Sequence, residues 1–149
     1  MVLLIDTNVL LDYLLIRQPQ FNDSARVISA CQKGIITGYI AFHSLSILWY
    51  TLRKKSDSER RQFLLQLTSF LRIASASHEK VVDAIQQVTF PDFEDCLQEK
   101  CAMEINADFI VTNNTKDFTS SKIHAVTPTE MLELFFKLKT ELHQFPQLP

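Results

Sequence analysis

The strongest strand signal in the chain lies in residues 107–118, which read ADFIVTNNTKDF. Phe109-Ile110-Val111-Thr112 is a short apolar run, and its composition is typical of a buried strand. The run ends in the polar loop Asn113-Asn114-Thr115-Lys116-Asp117. In an open parallel sheet, ligands bind in the crevice at the carboxyl ends of the strands. The loop after this strand is therefore a candidate position for a functional site.

The same succession of a short strand and a polar turn opens the chain. Val2–Ile5 predicts a buried strand that ends at Asp6-Thr7-Asn8. The remaining predicted strands lie near residues 35–42, 71–74 and 123–126. Helical patterns separate the strands, which favours a parallel sheet with helices on both faces. We therefore expect one α/β domain over residues 1–143 and a frayed tail over residues 144–149.

Composition excludes several classes of protein. The chain has 149 residues, of which 46% are apolar, and its 17 acids and 15 bases give a net charge of −2. A domain with this charge does not coat nucleic acid as a polycation. Its two glycines, Gly34 and Gly38, are too few for a dinucleotide fingerprint and wrongly spaced for a P-loop.

Cysteine usage and hydropathy indicate a reducing, aqueous environment. Three cysteines without a C-x-x-C pair argue against a disulfide framework and against a zinc site. No apolar run approaches the roughly 18 residues that cross a bilayer, and no basic leader opens the chain. We therefore expect a cytoplasmic protein with no membrane partner.

Acidic side chains gather at the predicted carboxyl edge of the sheet. Asp6 and Asp117 each follow a strand, while Asp92 and Asp95 open a helix, with Glu99 one turn further on. Spacings of three and four predict that these last three acids share one helix face. Carboxylates that meet without bases repel one another unless a cation screens them, and such hard oxygen ligands suit Mg²⁺ or Mn²⁺. Each acid taken singly also fits an ordinary role as a turn or cap residue.

Four segments together resemble the PIN domain family, the fold of many VapC-type toxin ribonucleases. They are residues 4–10 (LIDTNVL), 92–98 (DFEDCLQ), 107–118 (ADFIVTNNTKDF) and 126–132 (VTPTEML). The resemblance covers essentially the whole chain in the family's order. It implies a three-layer α/β/α sandwich with a central parallel sheet, and a ribonuclease that depends on a divalent metal, Mg²⁺ or Mn²⁺.

The resemblance also assigns roles to residues and implies partners. In the family, the acids that match Asp6, Asp95 and Asp117 hold the metal, so these three are the candidate catalytic residues. Asp92 is a candidate fourth metal ligand. The residues predicted to support the site are Asn8, Glu99, Thr112 and Asn114. The implied partners are an RNA substrate, a second copy of the chain in a homodimer and a cognate antitoxin protein that occupies the acidic groove.

The chain departs from the family pattern in the helix after the second strand. PIN nucleases commonly carry a Glu there, where this chain has Ile47 or, one position earlier, Ser46. Residues 24–56 contain no Asp or Glu at all. Two hypotheses follow: a toxin ribonuclease in which Asp92 or Glu99 compensates for the missing acid, or a PIN-fold module that has lost hydrolysis and binds RNA or protein.

A basic strip follows the same helix. Residues 53–61 carry five bases and two acids, a local net charge of +3. The strip suits the binding of RNA phosphates and equally a solvated helix surface. Trp49 and Tyr50 fit packing in the core or in a dimer better than base stacking, and His43 fits a structural role.

Overall fold

The computed structural model describes residues 1–144, except for the side chains of residues 139 and 141–144. The strands are β1 (Val2–Ile5), β2 (Thr37–Ala41), β3 (Arg72–Ala74), β4 (Phe109–Val111) and β5 (Ala125–Val126). The helices are α1 (Thr7–Leu15), α2 (Phe21–Gln32), α3 (Phe42–Thr51), α4 (Asp57–Thr68), α5 (His78–Gln86), α6 (Phe93–Glu104) and α7 (Pro128–Gln144). A short 3₁₀ turn, Thr115–Phe118, follows β4.

All five strands form one parallel sheet in the order β3-β2-β1-β4-β5. In the central strand β1, Leu4 lies opposite Tyr39 of β2 and Ile110 of β4. The chain runs outward from β1 through β2 to β3 and then returns to the other side of β1. This reversal of strand order leaves a crevice between the carboxyl ends of β1 and β4. The prediction of a parallel α/β sheet is confirmed.

Alternate side chains of β1 supply two separate cores. Leu3 and Ile5 point to one face of the sheet, where they pack with apolar residues of α1, α2, α3, α4 and α7. Leu4 points to the other face, which α5 and α6 cover. Side chains of a strand alternate between the two faces, and a sheet covered on both faces needs strands that are apolar throughout. The structure is therefore the α/β/α sandwich that the sequence predicted.

The ends of some elements differ from the prediction. β5 covers only Ala125–Val126 instead of residues 123–126. The cause is Ser121, whose Oγ accepts the backbone N–H of Ile123 (3.1 Å) and donates to its carbonyl oxygen (2.8 Å), so that this residue is bonded outside the sheet. α7 ends at Gln144, and the rest of the predicted frayed tail lies outside the described residues.

The two glycines have separate structural reasons. Gly34 ends α2 with a φ of +67°, a left-handed conformation that favours glycine just past a helix end. At Gly38 a Cβ atom would lie 2.5 Å from Leu71 Cδ2 and 2.7 Å from Cys31 Sγ. The absence of a side chain therefore allows α2 to pack closely on β2.

The cysteine side chains and the helix lengths bear on the predictions of no disulfide framework and of no membrane segment. Cys31, Cys96 and Cys101 are all buried free thiols. None of the helices within residues 1–144 is both long enough and apolar enough to cross a membrane.

Candidate metal centre

An open cleft of about 570 Å³ lies at the carboxyl edge of the sheet, between the ends of β1 and β4 and the start of α6. Its lining residues are Asp6, Thr7, Asn8, Leu11, Ile47, Pro91, Asp92, Glu94, Asp95, Asn114 and Asp117. The lining includes all four acids that the sequence singles out as metal ligands, together with a fifth, Glu94. Three elements that are distant in the sequence thus bring their carboxylates to one place.

Asp6 is held in one orientation by residues of α1 and of the carboxyl end of β4. Its backbone N–H donates to the carbonyl oxygen of Val111 (2.9 Å), so the residue continues the sheet by one position. Its Oδ2 accepts hydrogen bonds from Asn8 Nδ2 (2.7 Å) and Thr112 Oγ1 (2.7 Å). Thr112 Oγ1 also accepts the backbone N–H of Asn114 (3.0 Å). Asn8, Thr112 and Asn114, all predicted to support the site, thus belong to one network with Asp6.

Gln98 of α6 joins the acids from beneath the cleft. Its side chain is completely buried, and its Nε2 lies 3.3 Å from Asp6 Oδ1 and 2.9 Å from Glu94 Oε1. The same nitrogen lies 3.0 Å from Ser44 Oγ and 3.3 Å from Thr7 Oγ1. Its Oε1 is buried without a hydrogen-bond partner. Sequence reasoning missed this residue, because a glutamine inside a helix carries no signal of its burial.

The start of α6 concentrates negative charge. Asp92 is the N-cap: its Oδ1 accepts the backbone N–H groups of Glu94 (2.7 Å) and Asp95 (3.3 Å). One carboxylate oxygen from each of these three residues lies within 4.8 Å of the others. Asp117 approaches from the 3₁₀ turn after β4. The capping role expected of Asp92 therefore coexists with a position in the cleft.

The electrostatics of the cleft favour a bound cation. Burial and, to a smaller extent, the neighbouring carboxylates of Asp6, Glu94, Asp92 and Asp117 together raise the pKa of Asp95 to about 7. Burial also raises the pKa of Asp6 to about 6, with a contribution from Glu94. Among the side chains that the structure describes, no lysine or arginine forms an ion pair with any of the five acids. A set of carboxylate oxygens without an internal cation fits Mg²⁺ or Mn²⁺.

Glu99 lies apart from this cleft. Its side chain is completely buried, accepts the backbone N–H of Lys122 and lies 3.4 Å from Lys100 Nζ. Asp92 is the N-cap, with extended backbone angles (φ −129°, ψ 136°), so helical spacing cannot be counted from it. Glu99 is one turn after Asp95, but its carboxylate is directed to Lys122 and Lys100 and not into the cleft. Glu99, predicted to support the site, holds the loop before β5 instead.

Two residues of α3 lie next to the acids. Ile47 lines the cleft. His43, one turn earlier, is not among the lining residues, but its Nε2 donates to Glu94 Oε1 (3.0 Å). The sequence did not predict this contact with an acid of the cleft.

The protein is thus a parallel α/β/α sandwich whose acidic side chains gather at the carboxyl ends of its strands. The model of the PIN domain matches residues 2–116. The chain belongs to the PIN domain family. Among curated proteins, none matches the chain by sequence.

Solved structures share the fold at low sequence identity. VapBC2 from Rickettsia felis, bound to a DNA fragment from its promoter, is 18% identical, with a TM-score of 0.64 over 85% of this chain and 98% of that chain. VapBC-1 from nontypeable Haemophilus influenzae is 15% identical, with a TM-score of 0.63 over 87% of this chain and 99% of that chain. FitAcB from Neisseria gonorrhoeae is 16% identical, with a TM-score of 0.59 over 87% and 99%.

Proposed function

We propose that the chain is a divalent-metal-dependent endoribonuclease of the VapC type, the toxin of a toxin–antitoxin pair. One observation carries the proposal: Asp6, Asp95 and Asp117 line a single cleft whose described surroundings contain no lysine or arginine paired with them. Membership of the PIN domain family supports the same conclusion.

The metal would be Mg²⁺ or Mn²⁺, held by Asp6, Asp95 and Asp117 with Asp92 as a fourth acid. When bound, such an ion polarises a phosphodiester and activates the attacking water. Thr112 and Asn8 hold Asp6 Oδ2 through two hydrogen bonds of 2.7 Å, which fixes the direction of that carboxylate before any ligand enters. This preorganisation favours in-line attack on the RNA backbone.

The substrate surface would extend from the cleft along α3. Ile47 of α3 lines the cleft, and the basic strip begins at Arg53, just after α3 ends at Thr51. Arg53 lies over the exposed ring of Tyr50, with its Cζ 4.5 Å from the ring centroid. Arg60 lies 4.0 Å over the ring of Trp49. Arg53, stacked on an exposed ring, suits contact with RNA phosphates and bases, whereas Arg60 is mostly buried and paired with Asp57.

The partners proposed for the chain follow from the same family. The structural neighbours include VapBC proteins, which favours a cognate antitoxin as the partner that blocks the cleft. A homodimer is proposed as well, and Phe136 and Leu138 of α7 remain 52% and 44% exposed on a helix that otherwise packs on α2. The protein would encounter its RNA substrate in the cytoplasm.

A second candidate function has an observation of its own. Ile47 stands in the cleft wall where PIN nucleases commonly have a Glu, which favours a module with weakened hydrolysis that binds RNA or protein. The loss of one acid weakens metal binding and displaces the ion.

The two functions are separated by RNA cleavage in the presence of Mn²⁺. Wild type is compared with the double variant Asp6→Asn, Asp117→Asn on a structured RNA. We expect cleavage by wild type only. Equal residual cleavage by both proteins would remove the nuclease proposal and leave the binding module, provided that wild type still retains RNA in a gel-shift experiment.

A further inference from the structure

We propose that Glu94 supplies the carboxylate that α3 lacks in the metal centre, at the place beside Ile47. The inference rests on the proposed function, because it assigns a ligand to the same cleft. With Glu94 as a ligand, the cleft has an acid beside α3 although residues 24–56 contain none.

Glu94 reaches the cleft from α6. It lines the cleft together with Ile47, and one of its carboxylate oxygens lies within 4.8 Å of carboxylate oxygens of Asp92 and Asp95. Glutamate is one methylene longer than aspartate, so a residue in the first turn of α6 can extend across the cleft towards α3.

Contact with α3 places this carboxylate next to Ile47. His43 Nε2 donates to Glu94 Oε1 over 3.0 Å. His43 and Ile47 are four residues apart on α3, and residues with this spacing are neighbours on one face of a helix. Glu94 therefore ends at the surface of α3 from which an acid at position 47 would project.

The hydrogen bonds of Glu94 leave one oxygen available. Gln98 Nε2 donates to the same Oε1 over 2.9 Å. Within the described residues, Oε2 accepts no hydrogen bond. Two donors thus hold the carboxylate among like charges, an arrangement that costs free energy unless a cation is present. His43 and Gln98 are positioning residues for Glu94.

The buried amide of Gln98 gives an independent indication that the site is built for a ligand. The side chain is completely buried, its nitrogen has oxygen neighbours on Asp6, Thr7, Ser44 and Glu94, and its Oε1 has no partner. A buried polar atom without a partner is rare in native proteins. This side chain contacts two of the acids that would hold the ion, through Nε2 to Asp6 Oδ1 (3.3 Å) and to Glu94 Oε1 (2.9 Å).

The experiment is a calorimetric titration of the full chain with Mn²⁺ alone. Glu94→Gln removes the charge of the side chain but keeps an oxygen that can accept from His43 and Gln98. Glu104→Gln is the matched control, because Glu104 lies on the same helix and binds Lys80 (3.2 Å) outside the cleft. The double variant Ile47→Glu, Glu94→Gln moves the carboxylate from α6 to α3. Circular dichroism checks that each variant is folded.

We expect Glu94→Gln to weaken Mn²⁺ binding by about tenfold or more, a loss typical of site residues, and Glu104→Gln to leave it unchanged. The double variant should recover most of the loss. Wild-type affinity in Glu94→Gln would overturn the inference, and so would a loss that Ile47→Glu does not reverse. These outcomes differ from failure of the proposed function, in which wild type itself would bind Mn²⁺ no better than Asp95→Asn.

Discussion

Helix α6 carries two clusters of charge that differ in whether a lysine is present. Near its start, Asp95 meets the carboxylates of four other acids, and none of them has a lysine or arginine partner among the described side chains. About one turn later, Glu99 and Lys100 meet Asp83 of α5. Lys100 Nζ lies 2.6 Å from Asp83 Oδ2 and 3.4 Å from Glu99 Oε2.

The pKa values of Asp83 and Asp95, one acid from each cluster, are shifted in opposite directions. A hydrogen bond and the charge of Lys100 lower the pKa of Asp83. Burial and neighbouring carboxylates raise the pKa of Asp95 to about 7. Lys100 therefore neutralises acids that hold α5 and α6 together, whereas no lysine or arginine among the described side chains pairs with the acids of the cleft. The Lys100 cluster fits a structural role, and the cleft fits the divalent ion that we propose.

Removal of the lysine should damage the structural cluster severely. Lys100 is 2% exposed, and Lys100→Met leaves Glu99 buried without a cation. The free energy of unfolding should fall by about 3–5 kcal/mol, as for other broken buried ion pairs. Urea denaturation measures the change.

The control for this variant is the more exposed ion pair between Lys80 and Glu104. Lys80→Met should cost less than about 1 kcal/mol, since exposed pairs contribute little. Equal losses in the two lysine variants would show that Lys100 is not an essential buried partner, and the comparison between the clusters would no longer hold.

Neutralisation of one acid in each cluster should separate activity from structure. Asp95→Asn removes a proposed metal ligand and should lower the rate of RNA cleavage with Mn²⁺ by about a hundredfold. Asp83→Asn changes an acid of the other cluster and should leave the rate within about twofold of wild type. The initial rates at matched protein concentrations give the answer. A large loss of rate in Asp83→Asn would mean that the two clusters are coupled.

Asp95→Asn should also make the metal-free protein more stable at high pH. The folded-state pKa of Asp95, about 7, lies above its ordinary value of 3.8, so the stability that its neutral form contributes is present below pH 4 and lost as the pH rises through 7. At pH 8, with a chelator present, Asp95→Asn should therefore unfold with a free energy higher than wild type by on the order of 2 kcal/mol.

The pH dependence provides the check on that prediction. Thermal melts at pH 4 and pH 8 should show a difference between Asp95→Asn and wild type that grows with pH. A difference that is independent of pH would indicate altered packing instead of relieved repulsion.

The position of the acidic cleft could be predicted from the sequence, for a physical reason. Asp6 and Asp117 follow apolar runs that form strands β1 and β4, and the carboxyl ends of parallel strands meet at one edge. The helical layers on both faces follow from the alternation of strands and helices, whereas the strand order does not.

The remaining contacts of the cleft depend on distances between helices and strands. These distances cannot be derived from the spacing of residues in the sequence. Glu94 and Gln98 are one turn apart, but which face of α6 meets β1 depends on packing. His43 contacts Glu94 only because α3 begins directly after β2, one residue past Ala41. Helical spacing predicts Glu99 near Asp95, but it does not contain the contacts with Lys122 and Lys100 that hold the Glu99 carboxylate outside the cleft.

The most direct test is whether the cleft binds a divalent ion. The electron paramagnetic resonance signal of free Mn²⁺ falls when the ion binds to protein, so it can be followed as metal-free wild type and Asp95→Asn are each added to a fixed amount of Mn²⁺. We expect wild type to remove the signal with saturable binding and Asp95→Asn to remove much less at the same concentration. Equal loss of signal in the two proteins, or none in either, would contradict the assignment of the cleft as a metal centre.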